Sequence, residues 1–386
     1  MAITNICGFE TGAGGADNEG VLTGAGATIQ TTTKRTGDYA LRINPTTTAT
    51  AYFSLVVLYL ANGIESIGTL ITDARYRFYI RIAALPSAAE PILQARNVSA
   101  LKFELRLGSD GKLTALDSVL ASLGTGSTVL STNTWYRIEV LVGTGASASW
   151  EVLIDGVSEL SGATGNLTTT GSFAARLGKG TNRNGSGYDA YYDDAAISDS
   201  AYPGAGACAC LRPNGDGNYT AWTGTSTNVD DLTSQAGHDT DTTFINSSTI
   251  TQAETVALES CADRGISGTI NCVKSIVVVR DISNTTNIQM RTRVTSPGTA
   301  DTDTTDIDPG ATYRTLGQVL PTNPSGGAAW QTAGVDSLEV GVEHNQAQAR
   351  ELRCTLVCAM VDFTPIENFP PHFRHHWLRK YHLLVR

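Results

Sequence analysis

Residues 134–160 read TWYRIEVLVGTGASASWEVLIDGVSEL. Tyr136, Ile138, Val140 and Val142 make one apolar face at a period of two. A Gly/Ser loop turns the chain, Trp150, Val152 and Ile154 make the next face, and Asp155-Gly156 closes the run. Alternation of this kind is the signature of half-buried β-strands, and Asp-Gly is a tight-turn dipeptide.

The device recurs outward from this stretch. In RYRFYIRI (75–82), Tyr76, Phe78, Ile80 and Ile82 face one way and Arg75, Arg77, Tyr79 and Arg81 the other. In LKFELRL (101–107), Leu101, Phe103, Leu105 and Leu107 face inward, Lys102, Glu104 and Arg106 outward, and Asp110-Gly111 then supplies a hairpin turn. SIVVVRDI (275–282) reads as a buried strand, 288–294 and 337–342 alternate, and 352–363 reads as a long final strand. Helical spacing shows only over 113–120 and 254–261. The small, Pro-containing stretch AYPGAGACA (201–209) marks a domain boundary. The expected fold is all-β: two β-sandwich (jelly-roll) domains in tandem, over 1–201 and 208–365, followed by a short basic amphipathic tail over 366–386.

Composition agrees. The 386 residues include 39 glycines, only 17% are charged, and the net charge is −10, which speaks for turn-rich β structure and against a nucleic-acid partner. No apolar run is long enough to span a bilayer. MAITNICGFE at the start lacks the pattern of a signal peptide. The expectation is therefore a chain made in a cytoplasm, and kept there or released without a signal, as inside a virus particle. Seven cysteines at 7, 208, 210, 261, 272, 354 and 358 point to mostly buried thiols, with one or two bridges in the second half left open. Cys354 and Cys358 are expected on one strand face.

The tail HFRHHWLRKYHLLVR (372–386) holds four of the six histidines. Setting aside its four Arg and Lys leaves 23 basic against 37 acidic residues. Phe373, Trp377, Tyr381 and Leu384 fall on one helical face. A basic tail on an acidic body either docks onto a neighbouring acidic subunit, through Phe373, Arg374, Trp377, Arg379, Lys380 and Tyr381, or is a loose terminus.

Several motifs occur in order: Gly8-Phe9-Glu10-Thr11-Gly12, Thr36-Gly37-Asp38-Tyr39-Ala40-Leu41-Arg42, Thr134-Trp135-Tyr136-Arg137-Ile138-Glu139, Ile154-Asp155-Gly156 and Tyr191-Tyr192-Asp193-Asp194-Ala195-Ala196-Ile197. In this order they resemble the concanavalin A-like lectin/glucanase jelly roll of laminin-G-like and pentraxin-like domains, over roughly residues 1–200. Arg212-Pro213-Asn214-Gly215-Asp216-Gly217, Tyr219-Thr220-Ala221-Trp222-Thr223, Asn228-Val229-Asp230-Asp231, Asp239-Thr240-Asp241-Thr242-Thr243, Trp330-Gln331-Thr332 and 338–343 (LEVGVE) resemble a β-sandwich of tailed-bacteriophage virion structural proteins, over roughly 210–363.

The resemblance implies specific chemistry to look for. The glucanase branch carries Glu-x-Asp-x-x-Glu, whose acids stand about 5 Å apart in retaining enzymes. That spacing does not occur here, and Arg77, Arg81, Lys102 and Arg106 occupy the strand positions where acids would stand. No Ser-His-Asp order is credible either, His238 and His344 being the only histidines outside the tail. Calcium at the sandwich rim would draw on Asp193 and Asp194, or on Asp301, Asp303, Asp306 and Asp308, since this cation takes six or more oxygens. Sugar stacking would use exposed aromatics, with Tyr188, Tyr191, Tyr192 and Trp222 as candidates; residues 180–187 form a further candidate loop. Trp135, Trp150 and Trp330 are expected in the core. The expectation is a non-enzymatic virion structural protein, a capsid decoration, head fibre or tail-associated subunit. It would require no cofactor, contact other virion proteins, form a homo-oligomer, and meet host surface glycans but neither nucleic acid nor membrane. The rival expectations are a lectin or receptor-binding protein, a glycan-degrading enzyme with an unrecognised acid pair, and a cellular adhesin.

Overall fold

A computed structural model describes residues 3–14, 19–45, 49–56, 71–97, 100–145, 147–164, 167, 174–181, 184–233, 236–282, 290–295, 302–303, 309–345 and 350–366. Within these the chain is all-β, built from two pairs of antiparallel sheets.

The first pair uses residues 3–198. One sheet runs Val157–Thr164, Ala148–Ile154, Trp135–Val142, Ala74–Ala84, Asp189–Ser198, Ala40–Ile43 and Ala27–Gln30, with Ile3–Cys7 also paired to Asp189–Ser198. The facing sheet runs Ser122–Thr125, Leu113–Leu116, Ala100–Leu107, Glu90–Asn97, Ala174–Lys179, Ala51–Val56 and Val21–Thr23. The stretch 134–160 forms the hairpin its alternation demands, with Ile138 opposite Ile154, Val140 opposite Val152 and Val142 opposite Trp150. These side chains enter one core with Tyr76, Phe78, Ile80, Ile82, Phe103, Leu105 and Leu107. Burying each such side chain contributes about 1.5–3 kcal/mol, and the period of two keeps the apolar set on one face.

The second pair uses residues 207–364. Ala207–Leu211, Leu352–Thr364, Thr269–Asp281 and Arg314–Leu320 form one sheet, to which Ile245–Ser247 adds beside Leu352–Thr364. Pro213–Thr220, Ala253–Leu258, Glu339–His344, Met290–Thr295 and Thr302–Asp303 form the other. Trp222, Trp330, Val273, Val277, Val340 and Val361 fill its core.

Helical spacing at 113–120 and 254–261 does not yield helices. Leu113–Leu116 pairs with Ala100–Leu107, and Ala253–Leu258 pairs with both Pro213–Thr220 and Glu339–His344. One turn of helical spacing is also compatible with a short strand, and pairing to neighbouring strands decides the outcome. The α-helix among the described residues is the short Thr332–Asp336, and no helix there is long and apolar enough to cross a membrane. All seven cysteines are buried free thiols. Cys354 and Cys358 point to opposite faces: Cys354 enters the second core, whereas Cys358 enters a third. A register shift in the pairing of Thr269–Asp281 with Leu352–Thr364, between Val278 and Val279, changes the phase between them.

That third core joins the sandwiches. Ile3, Ile6 and Ala196 of the first pack against Cys208, Cys210, Cys272, Ile276, Leu356, Cys358 and Met360 of the second. The outer face of the eight-stranded sheet is thus partly an interior surface.

Candidate functional site

The outer face of the eight-stranded sheet gathers Arg77, Arg81 and Asp193 among the charged side chains singled out by sequence. Strand pairing places them in rows. Trp135, Arg81, Tyr191 and Arg42 stand side by side across four strands; Arg137, Tyr79 and Asp193 form the next row, and Glu139 and Arg77 lie beyond.

Beyond the first row Tyr79, Asp193, Glu139 and Arg77 are buried, and Arg137 is half-buried. Arg77 and Asp362, both 0% exposed, form an ion pair between the sandwiches. Arg77 Nη1 also donates to Asp362 Oδ1 at 3.4 Å, and Arg77 Nε to the Asp194 carbonyl at 3.0 Å. Asp362 Oδ1 further accepts from Asn271 Nδ2 at 2.7 Å. Gly206 sits against this guanidinium, and a Cβ there would stand 2.1 Å from Arg77 Nη1. The linker Tyr202 hydroxyl donates to Glu151 at 2.7 Å, and the Gly204 amide to Glu139 at 2.7 Å. Both close the chain down onto the sheet.

Asp193 and Asp194 belong to this joint. Asp194 has φ of 50° and the register shifts between Asp193 and Ala196, a bulge that directs two consecutive carboxylates to one side. Asp193 Oδ2 accepts from the Arg35 amide at 2.7 Å, and its Oδ1 from the Asp194 amide at 2.9 Å. Asp194 accepts from Arg35 Nη1 at 2.5 Å, Thr36 Oγ1 at 2.5 Å and, across the joint, the Cys208 amide at 2.6 Å. Burial pushes both carboxyls above the ordinary aspartate range, Arg35 drawing Asp194 back down. The oxygens that a calcium ion would need are engaged by protein donors. Among the described residues no group of three His, Cys, Asp or Glu could hold a metal ion. Asp303 lies on a strand, and Asp301, Asp306 and Asp308 lie outside the described residues.

Other polar side chains extend the joint. Lys274 Nζ donates to Asn5 Oδ1 at 2.8 Å and to the Ile6 carbonyl at 3.2 Å. Asp38 pairs with Arg212 and Arg264 of the second sandwich. Glu10 accepts from the Asp38 amide at 2.8 Å, and burial raises its carboxyl well above the usual range. Gly37 (φ 58°) makes this approach possible, because a Cβ there would lie 2.0 Å from Glu10 Oε1.

The seven-stranded sheet carries a second cluster. Glu104 accepts from Gln94 Nε2 at 2.6 Å and Arg106 Nε at 2.6 Å, and Gln94 also donates to Thr181 Oγ1 at 3.0 Å. Lys102 is buried on the same strand, which lowers its amine to about 8. Lys102 and Arg106 flank Glu104 where an acid pair would have to stand. Arg106 neutralises Glu104 in an ion pair at 2.6 Å.

The aromatic candidates separate sharply. Tyr188 and Tyr192 are core residues; their hydroxyls donate to the Pro91 carbonyl at 3.0 Å and the Ile92 carbonyl at 3.3 Å. Trp222 is buried and its Nε1 donates to the Gln252 carbonyl at 3.0 Å. None of the three offers a ring face to a sugar. Trp150 and Trp330 are buried as expected, whereas Trp135 is half-buried on the outer face. Its phase opposite to Tyr136 is the sequence signal for that placement. Tyr191 is also half-buried there, with the Arg42 and Arg81 guanidinium carbons 5.7 and 5.8 Å from its ring centre. In the 180–187 loop, the Asn184 and Ser186 amides donate to Glu90 Oε1 at 3.1 and 2.8 Å. Residues 367–386, and with them Phe373, Arg374, Trp377, Arg379, Lys380 and Tyr381, lie outside the described residues.

No family model and no curated protein matches the chain. Among solved structures it is similar to the cellulose-induced protein Cip1, with 15% identity, a TM-score of 0.40, 52% of this chain covered and 99% of that one. It is similar also to a Trypanosoma rangeli sialidase (10%, 0.33, 47% and 30%) and to the binding domain of Paraclostridial Mosquitocidal Protein 1 (16%, 0.35, 49% and 48%). The chain thus spans under a third of the sialidase's length. These are likenesses of β-sandwich frames at low identity.

Proposed function

We propose that the chain is a rigid, non-catalytic structural subunit of a tailed-bacteriophage particle, a decoration, head-fibre or tail-associated component whose exposed faces meet host surface glycans. The observation that carries this reading is the joint between the sandwiches, in which Arg77 and Asp362 form a fully buried ion pair beside a continuous apolar core. A buried charge pair is strongly destabilised when one partner is withdrawn, so it holds two bodies in one relative position. A subunit that transmits shape and load needs that property. The acidic side chains brought together at the joint are spent on structure: Asp193, Asp194 and Asp362 each accept hydrogen bonds from neighbouring donors. The particle setting rests on the resemblance of residues 210–363 to virion structural sandwiches. Repetition in a symmetric array follows from that setting.

Mass spectrometry of purified particles from a culture that produces the chain tests the reading. The protein should co-purify at a fixed ratio to the major capsid or tail subunits. Recovery only in the soluble fraction, or release of reducing ends from bacterial polysaccharide by the purified chain, would overturn it.

A further inference from the structure

Among the described residues, the joint leaves one strip of the eight-stranded sheet only partly covered. Tyr79, in the second row, is buried under Arg35, whose guanidinium carbon lies 3.5 Å from the ring centre, and Arg77 beyond it is sealed by Asp362. Trp135, Arg81, Tyr191 and Arg42, in the first row, are all half-buried. Two of the four are aromatic and two are arginines, in strict alternation across neighbouring strands.

The two arginines differ. Arg42 is neutralised by a two-pronged contact, Nε to Asp189 Oδ1 at 3.0 Å and Nη2 to Oδ2 at 2.7 Å. Arg81, between the aromatic rings, lies against the Tyr191 ring and donates through Nε to the Asn133 carbonyl at 3.3 Å. No carboxylate among the described residues pairs with it. Its guanidinium fork is therefore positioned by a ring and a carbonyl while keeping donors for a planar anion.

From this row we infer that the strip Trp135–Arg81–Tyr191 is a binding platform for an oligosaccharide that carries a carboxylate, of the uronic- or sialic-acid class. Strands lie about 4.8 Å apart, so rings on strands two apart are separated by about 10 Å, a span suited to stacking alternate sugar residues of a chain. The carboxylate meets Arg81 between them. Charge complementarity selects the occupant: one available guanidinium flanked by apolar rings suits a sparsely charged sugar, whereas a polyphosphate backbone calls for many cations, against the net charge of −10. The inference deepens, and rests on, the reading of the chain as a glycan-contacting surface subunit.

The test is calorimetric titration of the full chain with oligogalacturonate and with sialyllactose, each beside its carboxyl-reduced neutral counterpart, and with oligothymidylate. At least one acidic glycan should bind, and its neutral counterpart should bind roughly tenfold to a hundredfold more weakly, the scale of one charged hydrogen bond. Arg81→Gln should lose the same factor and abolish the preference for the acid. Trp135→Ala should weaken both forms, and Arg176→Gln, on the other sheet, should change nothing. Thermal melts establish that the variants are folded. Failure of both acidic glycans to bind, equal affinity for acidic and neutral forms, an unaffected Arg81→Gln, or preference for oligothymidylate would overturn the proposal. Particle incorporation of Arg81→Gln separates the two readings: incorporation with glycan binding lost leaves the structural role standing.

Discussion

The ion pair at the joint permits a prediction of sign, size and order. Arg77 and Asp362 are fully buried, and removing one partner leaves the other without its counter-charge, at a cost of about 3–5 kcal/mol. The two halves are not equivalent. Without Arg77, the Asp362 carboxylate is left near the acidic Asp193–Asp194 bulge, with Asn271 and the Cys208 thiol as its donors. Without the Asp362 charge, Arg77 keeps the Asp194 carbonyl, and the Asp194 carboxylate still acts favourably on it. Arg77→Met should therefore cost more than Asp362→Asn. The double variant Arg77→Met with Asp362→Leu should recover most of the loss, because an apolar pair of similar volume is often neutral or better. Guanidinium unfolding followed by tryptophan fluorescence measures all three, and labelling of the buried Cys208 and Cys272 thiols reports opening of the joint. Single variants costing under about 1 kcal/mol, or a double variant whose loss is the sum of the two, would refute the reasoning.

Further outcomes follow from other parts of the structure. Lys274→Met removes the donor to Asn5 and the Ile6 carbonyl and should cost about 1–3 kcal/mol, with Cys272 labelling accelerated; unchanged labelling would contradict it. Glu254 is buried and its carboxyl is raised by that burial to about 7. Its folded value lies above its unfolded one, so the stability it contributes is full below about 4.5 and is lost as pH rises through 7. Glu254→Gln should accordingly raise the melting temperature at pH 8 and leave it unchanged near pH 4. Tyr188→Phe deletes the bond to the Pro91 carbonyl and should cost about 1 kcal/mol without changing glycan binding, since the ring is in the core.

The inward half of each strand was legible because alternation alone fixes it. Tyr76, Phe78, Ile80 and Ile82 are buried by the pattern 75–82 itself. The outward half was not. Arg77 and Tyr79 read as solvent-facing but are buried, and the partner that covers Arg77 lies 285 residues away in the chain. Asp193 and Asp194 suggested a rim metal site for the same reason: no local signal announces that Arg35, Thr36 and Cys208 converge on them. Cys354 and Cys358 were placed on one face by counting, and a register shift reversed one of them. Trp135 is the opposite case. Its phase against Tyr136 already pointed outward, and the general tendency of tryptophan to be buried obscured that signal.

The claim that the sandwiches form one rigid body is most directly tested by hydrogen exchange at two amides that cross the joint. Cys208 donates to Asp194 Oδ1 at 2.6 Å, and Gly237 to the Thr11 carbonyl at 2.6 Å. Both should exchange as slowly as the central strand Ala74–Ala84, opening only with global unfolding. Exchange of either amide at the rate of an exposed loop, while Ala74–Ala84 stays protected, would mean the two sandwiches part freely and would contradict the account.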